Sequence, residues 1–352
     1  MGLHDDKFSP QWLERYYEGE PGCELGRGSY TWRPYGFGSN MNNMLNAWVY
    51  ALAVKGWSDL SLLCDPGQLG NCDCFEESGG AVSNGWGCLF ADMPHLCKFD
   101  NPEDWSDHMV SRGVSEEDQQ QAARLKLNVV RNSPRNLDHS LEQFDTDHLG
   151  ALAVVAKYLW SHMTPWLRRD VDFVTHLEET FQSSPFLALH IRRGDKIYSG
   201  EAKKVEVKEY LAAAVNYLEE EGASRTSVGQ IRGIWVASDT AAMAEEVRTL
   251  AHGYFPNVMG EAVIFVADGV PGGVETPGVF THTNKQGYGP FVYIMADLEQ
   301  LAAADVFVGT FSSNIGRLVA VLRDALGKPR SSAISVDTEL WFPGRKLSPE
   351  FD

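Results

Sequence analysis

Apolar positions fall into two styles along the chain. In the first 170 residues they recur mainly at helical spacing. Met44, Ala47, Trp48, Ala51 and Leu52 lie three or four apart and predict a helix over residues 40–56. Residues 149–160 predict a second apolar helix. Pro165 is suited to open another near Trp166, because a first turn does not need the N–H that proline lacks. Residues 61–64 are a candidate strand, and residues 1–35 are polar, aromatic and rich in turn formers. Residues 65–100 are rich in Gly, Cys and Asp and read as an irregular, stapled region, and residues 104–131 as polar helix. From about residue 184 the apolar residues come instead in short runs: FLALHI (186–191), GIWVA (233–237), AVIFVA (262–267), VFVG (306–309) and residues 333–336. Helical patterns over 207–221, 240–251, 290–303 and 312–326 separate them, with a Gly-rich loop at 268–290. Short strands alternating with helices predict an α/β fold with a parallel sheet. Two domains are expected, a more helical one over 1–170 and a sheet domain over 171–352.

An open α/β sheet binds ligands at the carboxyl ends of its strands, so the residues after each strand carry the interest. FLALHI runs into His190-Ile-Arg-Arg-Gly-Asp-Lys196. Arg192, Arg193 and Lys196 at a strand end suit an anion, since guanidinium grips phosphate oxygens in pairs. A solvated surface loop is the plain alternative. GIWVA runs into Ser238-Asp239-Thr240, and VFVG into Thr310-Phe-Ser-Ser-Asn314, which opens a helix. Ser312 or Ser313 is expected to cap that helix with its hydroxyl. The same helix N-terminus can receive phosphate through free N–H groups; a cap with no ligand is the alternative. Glu201, in a polar loop before the helix of Tyr210, has the chemistry of a general base, as do many idle surface glutamates. Gly36-Phe-Gly38 before the first helix is half of a dinucleotide fingerprint, without its third glycine or a clear preceding strand. Asp145-Thr-Asp147 and Asp170-Val-Asp172 follow no apolar strand and read as helix-end or surface acids rather than metal ligands.

Composition narrows the classes. A formal charge of −18 argues against general nucleic-acid binding and against docking on an anionic membrane. The longest apolar runs fall far short of the roughly 20 residues that span a bilayer, and the N-terminus lacks the apolar core of a signal peptide. Cys23, Cys64, Cys72, Cys74, Cys88 and Cys97 all lie in the first 97 residues. An even, clustered set suggests local disulfides and an oxidising compartment. Free thiols, or a metal site using His95, are the other readings.

Several motifs together resemble the α-1,6-fucosyltransferases of glycosyltransferase family 23, which contains the core and nodulation fucosyltransferases. They are strand-His190-x-Arg192-Arg193-x-Asp195-Lys196, Ala237-Ser238-Asp239, and Ala304-Asp305 running on to Asn314. Lys157-Tyr158-Leu159 with Pro165-Trp166-Leu167, Glu201-Ala202, Glu209-Tyr210-Leu211 and Asp297-Leu298 fit the same order. The resemblance implies a GT-B fold, two Rossmann-like domains facing across a cleft, with GDP-fucose held mainly by the second. It maps the guanine contacts onto His190 and Asp297, with Arg193 and Asp239 beside the donor. The diphosphate contacts fall on Arg192, Ser312, Ser313 and Asn314. It maps the base onto Glu201, supported by Asp195 and Lys196. The chain departs from the pattern in one extra residue between Lys196 and Glu201, and in Thr240 where the family has a second aspartate. The 35 residues after Arg317 leave no room for an SH3-like domain.

The expected reaction is inverting transfer of fucose from GDP-fucose to a hydroxyl of a glycan or polysaccharide, without metal or other cofactor. The expected setting is the Golgi lumen, with no nucleic-acid partner and any membrane attachment lying outside this chain. A protein O-fucosyltransferase and a non-catalytic sugar-nucleotide- or glycan-binding relative are the alternatives. A nicotinamide oxidoreductase would need an acid about 20 residues beyond Gly38, after a second strand, and only Asp59 is near.

Overall fold

The structure is a computed structural model. It describes residues 13, 27–31, 37–50, 59–63, 90, 146–176, 184–193, 204–220, 226–258, 262–264 and 288–337. The chain divides into two compact units. One comprises Met1–Pro34, Asn40–Asp73 and Ser83–Thr164; the other comprises Tyr35–Ser39, Cys74–Val82 and Pro165–Asp352.

In the first unit, strand β1 (Arg27–Thr31) pairs in parallel with β2 (Asp59–Leu63), in a register running from Arg27 opposite Asp59 to Thr31 opposite Leu63. Helix α1 (Phe37–Tyr50) belongs to this unit from Asn40 onward, its first turn, to Ser39, being part of the second; it starts three residues earlier than its apolar pattern suggested, and buries Met41, Met44, Leu45, Trp48 and Val49. Helix α2 (His148–Ser161) is capped by Asp147, whose Oδ1 accepts from the Gly150 N–H at 2.7 Å. That bond accounts for one acid of the Asp145–Asp147 pair. Trp48 meets Tyr158 edge-on, with ring centroids 6.2 Å apart. All six cysteines lie outside the described residues, as do Asp145 and His95.

The second unit is built on a five-stranded, all-parallel sheet. Its strands are β3 (Phe186–Ile191), β4 (Gly233–Ser238), β5 (Val263–Ile264), β6 (Val306–Gly309) and β7 (Ala333–Ser335), in the spatial order β5-β4-β3-β6-β7. The chain builds outward from β3 to β5, then returns to the other side of β3 for β6 and β7. The order therefore reverses between β3 and β6. Helices α3 (Pro165–His176), α4 (Val207–Glu219), α5 (Ala241–Tyr254), α6 (Tyr288–Ala303) and α7 (Asn314–Ala325) complete the unit.

The strand pattern sorts the two faces. Leu187, Leu189, Ile191, Ile234, Val236, Val306 and Val308 join residues of α4 and α5 in one core. Burial of each such side chain contributes about 1.5–3 kcal/mol. The alternate residues Phe186, Ala188, His190, Trp235, Ala237 and Phe307 are also buried and face the opposite side of the sheet. There α6 contacts β3 and β4 and packs against α3 and α7. Arg168 of α3 bonds Glu299 of α6 at 2.6 Å, while Asp172 pairs with Arg168 and Asp170 with Arg169. The second Asp-x-Asp pair thus forms ordinary ion pairs. A fully buried Arg323 on α7 donates to the carbonyls of Leu301, Ala302, Ala304 and Asp305, fixing the turn from α6 into β6. Burial lowers its pKa to about 10, so it stays charged. Among the described residues, no helix is long and apolar enough to cross a membrane.

Candidate functional site

The reversal makes the carboxyl ends of β3 and β6 the topological switch point, the place where open α/β sheets take ligands. Two of the sequence motifs fall there on adjacent strands. β3 delivers His190, Arg192 and Arg193, and β6 delivers the segment Thr310–Ser313. The outer neighbours add carboxylates at the same level, Asp239 after β4 and Asp337 after β7.

Asp239 holds the β3 end. Its Oδ1 accepts from the Arg193 N–H at 2.9 Å, and its Oδ2 lies 3.5 Å from Arg192 Nε. Both side chains are largely buried, at 12% and 7% exposure, so this pair works in a low dielectric rather than as a screened surface contact. Ser238 adds a bond to the Ile191 carbonyl at 2.7 Å. Thr240, where the resemblance expected an acid, caps α5 by accepting from the Ala242 N–H. Arg193 lies beside the first turn of α4, within electrostatic reach of Glu206 and Tyr210. Its buried Nε and Nη2 have no hydrogen-bond partner among the described residues. The Tyr210 hydroxyl is pushed up by burial and stays protonated.

Asp337 holds the β6 end. Its carboxylate accepts from the Phe311 N–H at 3.1 Å and from the Ser312 N–H at 3.0 Å. This corrects the expected cap. Ser313 occupies the N-cap position of α7, but its hydroxyl makes no capping bond, and Ser312 stands one residue before the cap. The Phe311 and Ser312 amides, just before the helix, are thus satisfied by a carboxylate 26 and 25 residues away. Arg317 Nε donates to the Phe311 carbonyl and tightens the same turn. Gly316 is required here, since a Cβ on it would sit 2.2 Å from the Thr310 carbonyl oxygen. Gly38, in the first turn of α1, abuts the same helix start. A Cβ there would lie 2.8 Å from Ile315 Cδ1 and 3.1 Å from the Ile315 nitrogen. The Gly-rich segment is thus a close-packing element against α7.

The two residues assigned to a base lie on the α6 side of the sheet. His190 is 6% exposed, and its buried Nδ1 has no hydrogen-bond partner among the described residues. Burial, and secondarily the Arg192 guanidinium, lower its pKa to about 3, so the ring is neutral at physiological pH. Asp297 is half-buried on α6, and its Oδ1 accepts from Trp235 Nε1 at 2.8 Å. Burial raises its pKa to about 7, against the pull of the Trp235 N–H. Glu201, Asp195 and Lys196 lie outside the described residues.

The sequence reading passed over Asp337, Trp235 and Gly316. Ser335-Val-Asp337 follows a strand as Ser238-Asp239 does, and that parallel was a usable signal. Trp235 was marked by chemistry, since an indole N–H inside an all-buried strand demands an acceptor.

A family model for the alpha-(1,6)-fucosyltransferase N- and catalytic domains matches residues 83–334. No curated protein sequence matches the chain. Among solved structures, NodZ alpha-1,6-fucosyltransferase co-crystallised with GDP aligns over 84% of this chain and 92% of its own, at 17% identity and TM-score 0.44. FUT1 of Arabidopsis thaliana in complex with GDP aligns over 88% and 72%, at 14% identity and TM-score 0.45. POFUT1 in complex with GDP-fucose aligns over 87% and 97%, at 15% identity and TM-score 0.40.

Proposed function

Since the chain belongs to the alpha-(1,6)-fucosyltransferase family and is a GDP-fucose-dependent glycosyltransferase, we propose that it transfers fucose, with inversion, to a hydroxyl of a glycan or polysaccharide. The observation that carries the site assignment is the Arg192–Asp239 clamp at the β3–β6 reversal, next to the start of α7. In this reading the second unit holds the donor and the first serves the acceptor, the pair forming a GT-B enzyme.

Arg192 grips the diphosphate, and the hydroxyls of Ser312 and Ser313, Asn314 and the α7 terminus line the same path. Arg193 and Lys196 add positive potential, and Asp239 fixes Arg192 in place. His190 and Asp297 recognise guanine, one as a neutral imidazole and the other as a carboxylate facing N–H donors. As the glycosidic bond to phosphate breaks, negative charge grows on the leaving diphosphate. Preorganised cations and N–H groups stabilise that charge more than they stabilise the ground state. Glu201 takes the proton of the attacking hydroxyl, with Asp195 and Lys196 beside it, a role typically contributing about 10²–10⁴-fold. No metal step is invoked, because the cationic side chains already meet the leaving group. The secretory pathway, in the Golgi lumen, is the setting we propose.

The test is GDP release from GDP-fucose against a panel of glycans and mannans, with GDP-mannose as control donor. Acceptor-dependent release with GDP-fucose alone supports the reading, and the product linkage identifies the bond formed. Release with GDP-mannose but not GDP-fucose would overturn it.

A further inference from the structure

A tryptophan in the middle of a buried parallel strand is an expensive choice, because its N–H must find an acceptor away from water. In β4 the neighbours of Trp235 are Ile234 and Val236, and Trp235 itself is fully buried. Its acceptor is a carboxylate 62 residues away, Asp297 Oδ1 at 2.8 Å. An apolar residue would have filled β4, and an apolar residue would have filled that turn of α6. The structure instead keeps a carboxylate where burial opposes its charge, and supplies one donor to hold it. His190, two positions further along the same face on the neighbouring strand, keeps a buried Nδ1 that finds no partner among the described residues. Unsatisfied polar capacity is therefore gathered on one face of the sheet, beside a fixed carboxylate.

Guanine presents two parallel donors, N1–H and the 2-amino group, on one edge. A carboxylate accepts both at once only if its plane is set. A single oxygen held by Trp235 Nε1 sets that plane and leaves Oδ2, with the second lone pair of Oδ1, for the ligand. We propose that Trp235 is a positioning residue for nucleotide specificity: its indole N–H orients the Asp297 carboxylate so that it receives the two donors of guanine. The inference rests on the reading above that Asp297 faces the base, and adds the residue that makes the contact selective. Trp235 acts through Asp297 and does not touch the donor.

The probe is inosine diphosphate, which differs from GDP only in lacking the 2-amino group. A hydrogen bond to a charged group is worth about 1.5–3 kcal/mol, so the wild-type protein should prefer GDP over inosine diphosphate by about 10–150-fold. Trp235→Phe removes the N–H and should cut that ratio about tenfold. Donor KM should rise correspondingly, with the loss falling on KM rather than on kcat. Should the phenylalanine variant fail to fold, the benzothienyl isostere of tryptophan incorporated at position 235 removes the N–H at constant shape. An unchanged GDP preference in a folded variant, whatever its melting temperature, would make Trp235 a packing residue and overturn the proposal. Asp297→Asn separates the two layers. If it abolishes the preference while the Trp235 variants keep it, only the positioning role fails. If it keeps the preference, Asp297 does not read guanine, and both readings fall.

Discussion

The adjacent strands β3 and β6 of the second unit end in segments held by a carboxylate that follows the strand flanking each. Asp239 after β4 holds the β3 segment, and Asp337 after β7 holds the β6 segment. The device is shared, but what it holds differs. Asp239 takes one backbone N–H and one guanidinium, so the β3 half keeps a side-chain cation that can lean toward a phosphate. Asp337 takes two backbone N–H groups, so the β6 half keeps a rigid turn that aims α7. One half supplies charge and the other supplies geometry. The difference teaches that equal-looking acids at equal positions have unequal links to the ligand.

Asp239→Ala should break the comparison most severely. It leaves a largely buried Arg192 without this carboxylate, a loss of about 3–5 kcal/mol for one partner of a buried pair. GDP returns negative charge to Arg192, so the rise in melting temperature on adding GDP should be larger in the variant than in wild type. Asp337→Ala removes only contacts with neutral donors, two backbone N–H groups and the Ser335 hydroxyl, and should cost about 1–3 kcal/mol, with no extra rescue by GDP. Equal rescue of both variants would mean that phosphate reaches the Phe311 and Ser312 amides directly.

Glycine substitutions sharpen the geometric half. Gly316→Ala drives a methyl into the Thr310 carbonyl, and should cost toward the upper end of the 1–3 kcal/mol range for overpacking. Gly38→Ala meets first the mobile end of Ile315 and should cost less. Denaturant midpoints at constant m-value would measure both. The reverse order would show that the α1 contact, rather than the β6 turn, fixes the start of α7.

The smallest effect is on pH. Asp297 ionises near pH 7 when folded, against 3.8 ordinarily. Between those values the folded chain holds the extra proton, so its contribution to stability falls as pH rises and levels off above about 7. Guanine needs the ionised form, so donor KM should fall as pH rises toward and through 7. Asp297→Asn should flatten that profile. His190, ionising near 3 on the same sheet face, is silent in this window. Arg168 and Glu299 are paired at 2.6 Å on α3 and α6. A profile that persists in Asp297→Asn would assign the titration elsewhere.

What could be read in the sequence follows from how local each cause is. β3 and β6 appeared with their boundaries, because FLALHI and VFVG are buried on both faces and show unbroken apolar runs. Arg192 stood out as a candidate for the same reason, as a polar group directly after such a run. β1 was missed because Arg-Gly-Ser-Tyr-Thr has no strand pattern of its own and is defined by pairing with residues 32 positions away. The Asp337 contacts with the Phe311 and Ser312 N–H groups had no local signal, because the acceptor comes from beyond β7, 26 and 25 residues away. The Trp235–Asp297 bond joins a strand and a helix 62 residues apart, and no spacing rule connects them.

The central claim is that the β3–β6 rim binds the donor diphosphate through Arg192. Calorimetric titration of GDP into wild type, Arg192→Ala and Arg192→Lys tests it most directly. The alanine variant should bind about 10–150-fold more weakly, the range for a hydrogen bond to a charged group. The lysine variant should recover only part of the loss, since an ammonium lacks the paired donors of guanidinium. Wild-type GDP affinity in a folded Arg192→Ala protein would contradict the account, leaving Arg192 as a partner of Asp239 and nothing more.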